Sequence, residues 1–392
     1  MSTNLSNDFT FFNDGESSEP ENLAKYEDQF PSPPAFRFGI VGVGQCGNNM
    51  AAAFYRLGYR KVLAINTADG DLKSVKEPVE KLLIARQGAG KDPGVGRTCV
   101  ESKVTKIRTV MSRMFEGRVD KIVVCMGLGG GTGSGGGPEV VKIAKELVKE
   151  WGGNPDRDVI IIATLPEPKI DGPRQCYNAL LSYRELEKLG GPRTYVDNTQ
   201  IRACIASTFG TSWSRMNHWV AVTFHRFNTY AAQASEYGVF DGQDMNDILS
   251  RGRFIFSAFR VMTLNEKFQV GDVMNQHLER SLFAKTDLKK AEAAGCIMIL
   301  NAPAVQDRSP DDLHPAFTEL NNMMRPNSTL HRGIYLENVP PPAGGGRPED
   351  LFCYVMLGGL DHPKGTLNAL FEKARSFSES EEWGTLSAFL DV

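Results

Sequence analysis

Two residue patterns in this chain suit chemistry on an oligophosphate: glycine runs that open helices, and a pair of carboxylates three positions apart. The densest run is Gly127-Leu128-Gly129-Gly130-Gly131-Thr132-Gly133-Ser134-Gly135-Gly136-Gly137, with eight glycines. It follows Asp120-Lys121-Ile122-Val123-Val124-Cys125-Met126, which reads as a buried strand. It precedes Pro138 to Trp151, where Val140, Val141, Ile143, Ala144, Leu147 and Val148 recur at helical spacing. A strand-to-helix loop is expected, with Pro138 in the first helical turn. Glycine costs backbone entropy, so these glycines are expected to serve positive φ or close approach of a ligand rather than packing. Such a loop aims backbone N–H groups and the positive end of a helix dipole at one point, where a phosphate fits. A flexible linker is the bland alternative, but linkers do not usually join a buried strand to an amphipathic helix.

Further loops of this kind precede the long run. Gly42, Gly44 and Gly47 fit G-x-G-x-x-G between the strand Phe38–Val41 and a helix through Leu57. The strand Lys61–Asn66 ends in Thr67-Ala68-Asp69-Gly70-Asp71, where an acid suits a ribose or the vicinity of a metal. A third glycine loop runs from Gly88 to Arg97, before a helix expected from about Thr98 to Phe115. The strand Val159–Thr164 leads through Pro166 to Gly172 into a helix from Gln175 to Leu189, and Asp197-Asn198 closes another strand. This alternation predicts an α/β fold with a mainly parallel sheet, and ligands then gather at the carboxyl ends of its strands.

Trp213 to about Tyr237 reads as one long helix. The acidic loop Gly238–Asp247 follows, with Asp241 and Asp244 ahead of an apolar helix start at Ile248-Leu249. Two such carboxylates serve acid/base or metal chemistry, or more commonly cap the next helix. Residues 268–292 read as helical, and strands are expected at Cys296–Leu300, Gly333–Leu336 and Leu351–Leu357, making a second, smaller α/β domain.

Composition narrows the function. A net charge of −3 argues against direct bulk binding of nucleic acid or anionic membrane. Seven scattered cysteines without a CxxC pair suit a reducing cytoplasm and no disulfide framework or zinc site. The six histidines form no ligand cluster, so no protein metal site is expected. No apolar run approaches membrane-spanning length, and membrane insertion is not expected. Residues 1–35 are expected as a disordered arm, and the acidic tail 376–392 places Trp383, Leu386 and Leu390 on one helical face.

In this order the motifs resemble the tubulin/FtsZ superfamily across roughly residues 36–301. Gly129-Gly130-Gly131-Thr132-Gly133-Ser134-Gly135 is like its GGGTGSG signature, and Gly44-Gln45-Cys46-Gly47-Asn48 resembles tubulin's first phosphate loop. Asn66-Thr67 and Gly88-Ala89-Gly90 to Arg97 are similar to the second and third FtsZ loops. Leu165-Pro166, Asp197-Asn198 and Asp241-Gly242-Gln243-Asp244 look like the plasmid and phage branch, the TubZ and PhuZ type. The long linker and terminal peptide of FtsZ are not seen. Ala68 departs from the FtsZ Asn-Thr-Asp, and Asp171-Gly172-Pro173-Arg174 matches Glu-Gly-x-x-Arg only loosely.

The resemblance implies a Rossmann-like GTP-binding domain over 36–212, a central helix at 213–237 and an activation domain at 238–375. It implies GTP/GDP as the nucleotide, with Mg²⁺ held mainly by the phosphates. Gln45, Cys46, Gly47, Asn48, Asn49, Ala89, Gly90, Gly129, Gly130, Gly131, Thr132 and Gly133 would cradle the phosphates. Asp171, Arg174 and Asn198 are carried over as nucleotide contacts. Trp213 offers a π face to the base, and Asn217, one helical turn on, presents an amide to the purine edge. The family hydrolyses GTP when subunits stack head to tail, so Asp241 and Asp244 are expected to serve the next subunit's γ-phosphate. A heterologous contact that does not close gives filaments. The expected role is DNA segregation or plasmid and phage positioning, with the tail gripping an adaptor protein or a neighbouring subunit. The alternatives are an FtsZ-like division or shape GTPase and, remotely, an NAD-dependent oxidoreductase.

Overall fold

A computed structural model describes residues 33–207, 212–261, 270–305, 309–338 and 351–377. The expectations for the arm before residue 33 and for Trp383, Leu386 and Leu390 lie outside the described residues. The chain divides into two compact units. One comprises Phe36–Gln200, Leu282–Thr286 and the chain from His362; the other comprises the residues before Phe36, Ile201–Ser281 and Asp287–Asp361.

The first unit is built on a six-stranded, all-parallel sheet of order β3-β2-β1-β4-β5-β6. Its strands are β1 (Phe38–Val43), β2 (Val62–Asn66), β3 (Glu80–Leu83), β4 (Lys121–Gly127), β5 (Val159–Leu165) and β6 (Arg193–Asp197). The edge strand β3 escapes the sequence reading because Glu80 and Lys81 are exposed and give it little apolar pattern. The helices of this unit are α1 (Gly44–Arg56), α2 (Asp69–Ser74), α3 (Pro93–Glu101), α4 (Val104–Phe115), α5 (Gly137–Glu150), α6 (Pro155–Asp158) and α7 (Pro173–Leu189). The chain leaves it through α8 (Asn198–Ser207), and α13 (Lys364–Ala374) returns to pack on α7. Strand order reverses direction between β1 and β4, which places the ligand crevice of such a sheet at their carboxyl ends. The amino edge is closed by ion pairs instead. Lys121 Nζ lies 2.8 Å from Asp158 Oδ1. Burial pushes the Asp158 carboxyl up, but Arg157 and Lys121 outweigh it and hold it at about 2.

The long glycine run differs from expectation. None of its glycines has positive φ, and Thr132–Gly136 is itself a turn of π-helix continuous with α5. Most of these glycines serve packing. A Cβ on Gly135 would stand 1.8 Å from Pro93 O, one on Gly133 2.4 Å from Gly127 O, and one on Gly137 2.4 Å from Met126 Sδ. The cause is α3. The stretch Pro93–Arg97 is helix, not loop, and its Gly96 rests on Gly131, where an added Cβ would meet Gly131 O at 2.2 Å. Only Gly130 opens onto empty space, with no atom within 4 Å of an added Cβ.

The second unit holds a four-stranded sheet of order β7-β10-β8-β9. Its strands are β7 (Phe254–Val261), β8 (Ala293–Asn301), β9 (Thr329–Glu337) and β10 (Leu351–Gly358). β10 runs antiparallel to β7 and β8, and β9 runs parallel to β8. Its helices are α9 (Trp213–Tyr230), α10 (Gly242–Ser250), α11 (Val270–Glu279) and α12 (His314–Met323). The long helix thus ends at Tyr230, and α10 starts at Gly242 rather than near Ile248, because Asp241 and Asp244 cap it.

Candidate nucleotide site and acidic loop

Three loops meet at the carboxyl edge of the first unit's sheet. Gly44, at φ +72°, ends β1 and opens α1, and its added Cβ would meet Gly133 N at 3.0 Å. α1 begins with Val43 as N-cap and no side-chain cap. The π-helical turn likewise starts at Gly131 without one. Helix starts of this kind leave backbone N–H groups without partners inside the helix, and those groups suit phosphate oxygens. Gln45 and Asn49 are exposed on the first turns of α1, while Gly47 and Asn48 are buried. Gly47 lets α1 lie on β4, since a Cβ there would stand 2.1 Å from Cys125 O. Asn48 Nδ2 donates to Ile65 O at 3.3 Å, which ties α1 to β2. Burial pushes the Cys46 thiol up, partly offset by a hydrogen bond with Thr164.

The second loop joins the long run through Thr67 Oγ1 and Thr132 Oγ1, 2.6 Å apart. Asn66 Oδ1 accepts from Thr67 N at 2.8 Å and Ala68 N at 3.3 Å, a local turn that fixes the end of β2. The third loop follows the second, with Gly88 N donating to Thr67 O at 3.1 Å. Gly88 and Gly90 have positive φ, and Gly90 faces open space. Ala89 is buried against Gly131, whose added Cβ would meet Ala89 Cβ at 2.7 Å.

Helix α7 braces these loops. Arg174 Nη2 donates to Asp92 Oδ2 at 3.2 Å, and Lys91 Nζ to Gln175 Oε1 at 3.2 Å. Asn178 Nδ2 reaches Lys91 O at 2.9 Å and Gly129 O at 3.4 Å. Asp171 accepts from Glu167 N at 2.8 Å and from Gln175 Nε2 at 2.7 Å. Gln175 and Asn178 escape the sequence reading; their one signal is placement a turn apart on the helix that carries Arg174. Asp197 ends β6 and accepts from Thr199 N at 2.8 Å and Thr366 Oγ1 at 3.0 Å, while burial raises its pKa. Asn198 opens α8 directly after it.

The remaining sequence candidates belong to the second unit. Trp213 and Asn217 occupy the first turns of α9, whose start is capped by Ser212. Trp213 is 40% exposed, and the Arg202 guanidinium lies 5.4 Å from its ring centroid. Asp241 is the N-cap of α10: its Oδ1 accepts from Gln243 N at 2.7 Å and Asp244 N at 2.9 Å. Asp244 Oδ2 accepts in return from Asp241 N at 3.0 Å, completing a capping box. Strand β9 holds this loop from the side. Tyr335 Oη accepts from Phe240 N at 3.1 Å, and His331 Nδ1 lies 2.7 Å from Asp244 Oδ1. Neither residue was legible beforehand, although His331, Gly333 and Tyr335 alternate onto one strand face.

Comparison with known proteins agrees with this geometry. Residues 37–206 match the model of the Tubulin/FtsZ family, GTPase domain. The tubulin-like protein CetZ of Pyrococcus furiosus is 33% identical over 374 residues, 90% of this chain and 95% of the relative. The cell division protein FtsZ 2 of Haloferax volcanii is 26% identical over 314 residues, 78% of this chain and 72% of the relative. Among solved structures, a GTPγS-form protofilament of Bacillus thuringiensis serovar israelensis TubZ superposes with a TM-score of 0.72 at 21% identity, covering 91% of this chain and 96% of that one. CetZ2 from Haloferax volcanii, also in a GTPγS-bound protofilament, gives 0.68 at 20% identity over 87% and 98% of the two chains. No described helix is long and apolar enough to cross a membrane. With its three loops, its uncapped helix starts and these relatives, the chain belongs to the tubulin/FtsZ family and is a GTPase.

Proposed function

We propose that this GTPase polymerises head to tail and that each junction completes one hydrolytic site. The observation that carries this reading is the placement of one carboxylate pair. Asp241 and Asp244 stand three positions apart at the start of α10 in the other unit, oriented by the capping box they share. At the carboxyl edge of the first unit's sheet Asp92, Asp71, Asp69 and Asp171 are engaged with that unit's own side chains and amides. A neighbouring subunit's loop suits the γ-phosphate water. Exposed apolar side chains at both loop regions support self-association: Val95 and Ile170 in the first unit, Tyr237 and Val239 in the second. The relatives seen as protofilaments, TubZ and CetZ2, point the same way. Among the described residues no cluster of three or more carboxylate, imidazole or thiol groups is placed to hold a metal. Mg²⁺ enters the proposal as an ion carried by the phosphates. Trp213 and Asn217 are assigned to the guanine base.

For the filament's work, DNA segregation or plasmid and phage positioning is the reading taken from the loop resemblance and the TubZ fold. An FtsZ-like division or shape role is the second. What favours the second is sequence: 33% identity to a CetZ and 26% to a cell division protein FtsZ 2, against 21% for TubZ. The acidic tail is assigned to an adaptor or a neighbouring subunit.

The test is turnover per subunit against protein concentration, with negative-stain microscopy in GTP, GDP and GTPγS. Turnover is expected to collapse below the assembly threshold. Asp244→Ala is expected to bind GTP and form persistent filaments, with hydrolysis slowed by roughly two to four decades. Turnover that stays constant on dilution would place the whole active site in one chain.

A further inference from the structure

Strand β9 brings to the acidic loop a residue that neither the fold nor the family reading assigns. His331 is 17% exposed at its side chain and sits between two carboxylates of α10: Nδ1 is 2.7 Å from Asp244 Oδ1 and Nε2 is 3.0 Å from Asp247 Oδ2. Asp247 is anchored in turn by Arg251 Nη2 at 2.6 Å. Asp244 therefore has both oxygens engaged, Oδ2 by the Asp241 amide and Oδ1 by the imidazole. One contact would leave the carboxylate free to rotate; two fix it. Each oxygen still has a lone pair for a water.

We propose that His331 is a positioning residue for GTP hydrolysis, donating from both ring nitrogens so that Asp247 orients it and it orients Asp244 toward the neighbouring subunit's attacking water. This rests on the reading that Asp244 acts in trans. The ring faces an acceptor at each nitrogen. Only the imidazolium donates to both carboxylates. The neutral ring has one N–H and one lone pair, so one contact then becomes lone pair against oxygen. The other charges around the ring are few. On α10 they are Asp244, Asp247 and Arg251, and Arg251 also lies 3.9 Å from Glu292. On β8 the residue opposite is Gly295, which has no side chain. Arg332, next along β9, sits over the Phe317 ring at 5.5 Å.

The experiment is turnover per assembled subunit at saturating GTP, with a fluorescent GTP analogue for binding and pelleting for assembly. His331→Ala should lower turnover by about tenfold to a hundredfold, the scale of a misplaced catalytic group, while GTP binding and assembly stay at the wild-type level. His331→Gln keeps a donor for only one of the two carboxylates, so its turnover should fall between wild type and His331→Ala. Asp247→Asn loosens the ring without touching Asp244 and should lower turnover in the same direction by a smaller factor. Asp244→Ala separates the two levels. If its filaments hydrolyse GTP at the wild-type rate, the trans reading itself falls. If Asp244→Ala is inactive but His331→Ala keeps wild-type turnover, the positioning role is overturned and the trans reading stands. Should His331→Ala fail to assemble, Asp247→Asn decides, and wild-type turnover in its filaments overturns the proposal.

Discussion

Helices α1 and α10 begin at loops of opposite chemistry, although a helix start is the same object in both: a few backbone N–H groups with no partner inside the helix. At α1 the N-cap is Val43, no side chain reaches back, and glycine follows. At α10 Asp241 and Asp244 take up the amides of Gln243, Asp244 and Asp241. The first start is left for a ligand's anion. The second has its own anions, held ready for use elsewhere. What decides between them is whether the chain supplies an acceptor at the N-cap, and glycine content alone does not separate the cases.

The largest expected effect tests how the glycines divide between packing and ligand. Gly135→Ala places a methyl 1.8 Å from the backbone oxygen of Pro93, a clash that no side-chain rotation relieves. A loss of about 3 kcal/mol or more is expected in nucleotide-free unfolding, at the upper end of overpacking costs. Gly130→Ala meets nothing within 4 Å and should leave that stability within about 0.5 kcal/mol, while weakening GTP binding. Equal melting of the two variants would show that the run is not packed against α3.

How far each region is legible in the sequence follows from the same comparison. The loops of the first unit are local: strand, glycine run and helix are contiguous, so their order and the parallel sheet can be read directly. What could not be read is why most of the glycines are there. Gly96 and Pro93 press on Gly131 and Gly135 across a gap of several dozen residues, and only the fold brings α3 onto the run. The braces Gln175 and Asn178 are likewise ordinary polar helix residues until α7 is placed. In the second unit Asp241 and Asp244 stand out as a pair. Their support, His331 and Tyr335, arrives about ninety residues later on an edge strand whose pattern is half polar.

A smaller effect asks whether the acidic loop is ordered by its own cap or by β9. The Tyr335 hydroxyl accepts from Phe240 N and lies 3.0 Å from Tyr230 O and 3.2 Å from Phe240 O. Tyr335→Phe leaves the buried Phe240 amide without a partner, a local cost of about 1–3 kcal/mol. Amide hydrogen exchange at residues 240–245 should accelerate while exchange in the phosphate loops stays unchanged. If residues 240–245 keep their protection, the capping box alone orders the loop.

The smallest effect is electrostatic and concerns Asp247. Burial pushes its carboxyl up, but His331 and Arg251 outweigh that and hold it below the ordinary range. A carboxyl whose pKa is lowered on folding binds its proton more readily in the unfolded chain. It therefore stabilises the folded chain fully above the unfolded value, near 3.9, and that contribution fades as pH falls through the lower folded value. The group is about one quarter exposed at its side chain, so solvent screening keeps the contribution to roughly 1 kcal/mol or less. Asp247→Asn should melt slightly below wild type at neutral pH, and the two melting curves should converge as pH drops below about 4. A gap that persisted undiminished into that acid range would assign the loss to packing or to the amide's hydrogen bonding. The ionised carboxylate between His331 and Arg251 would then not be what secures α10 to β9.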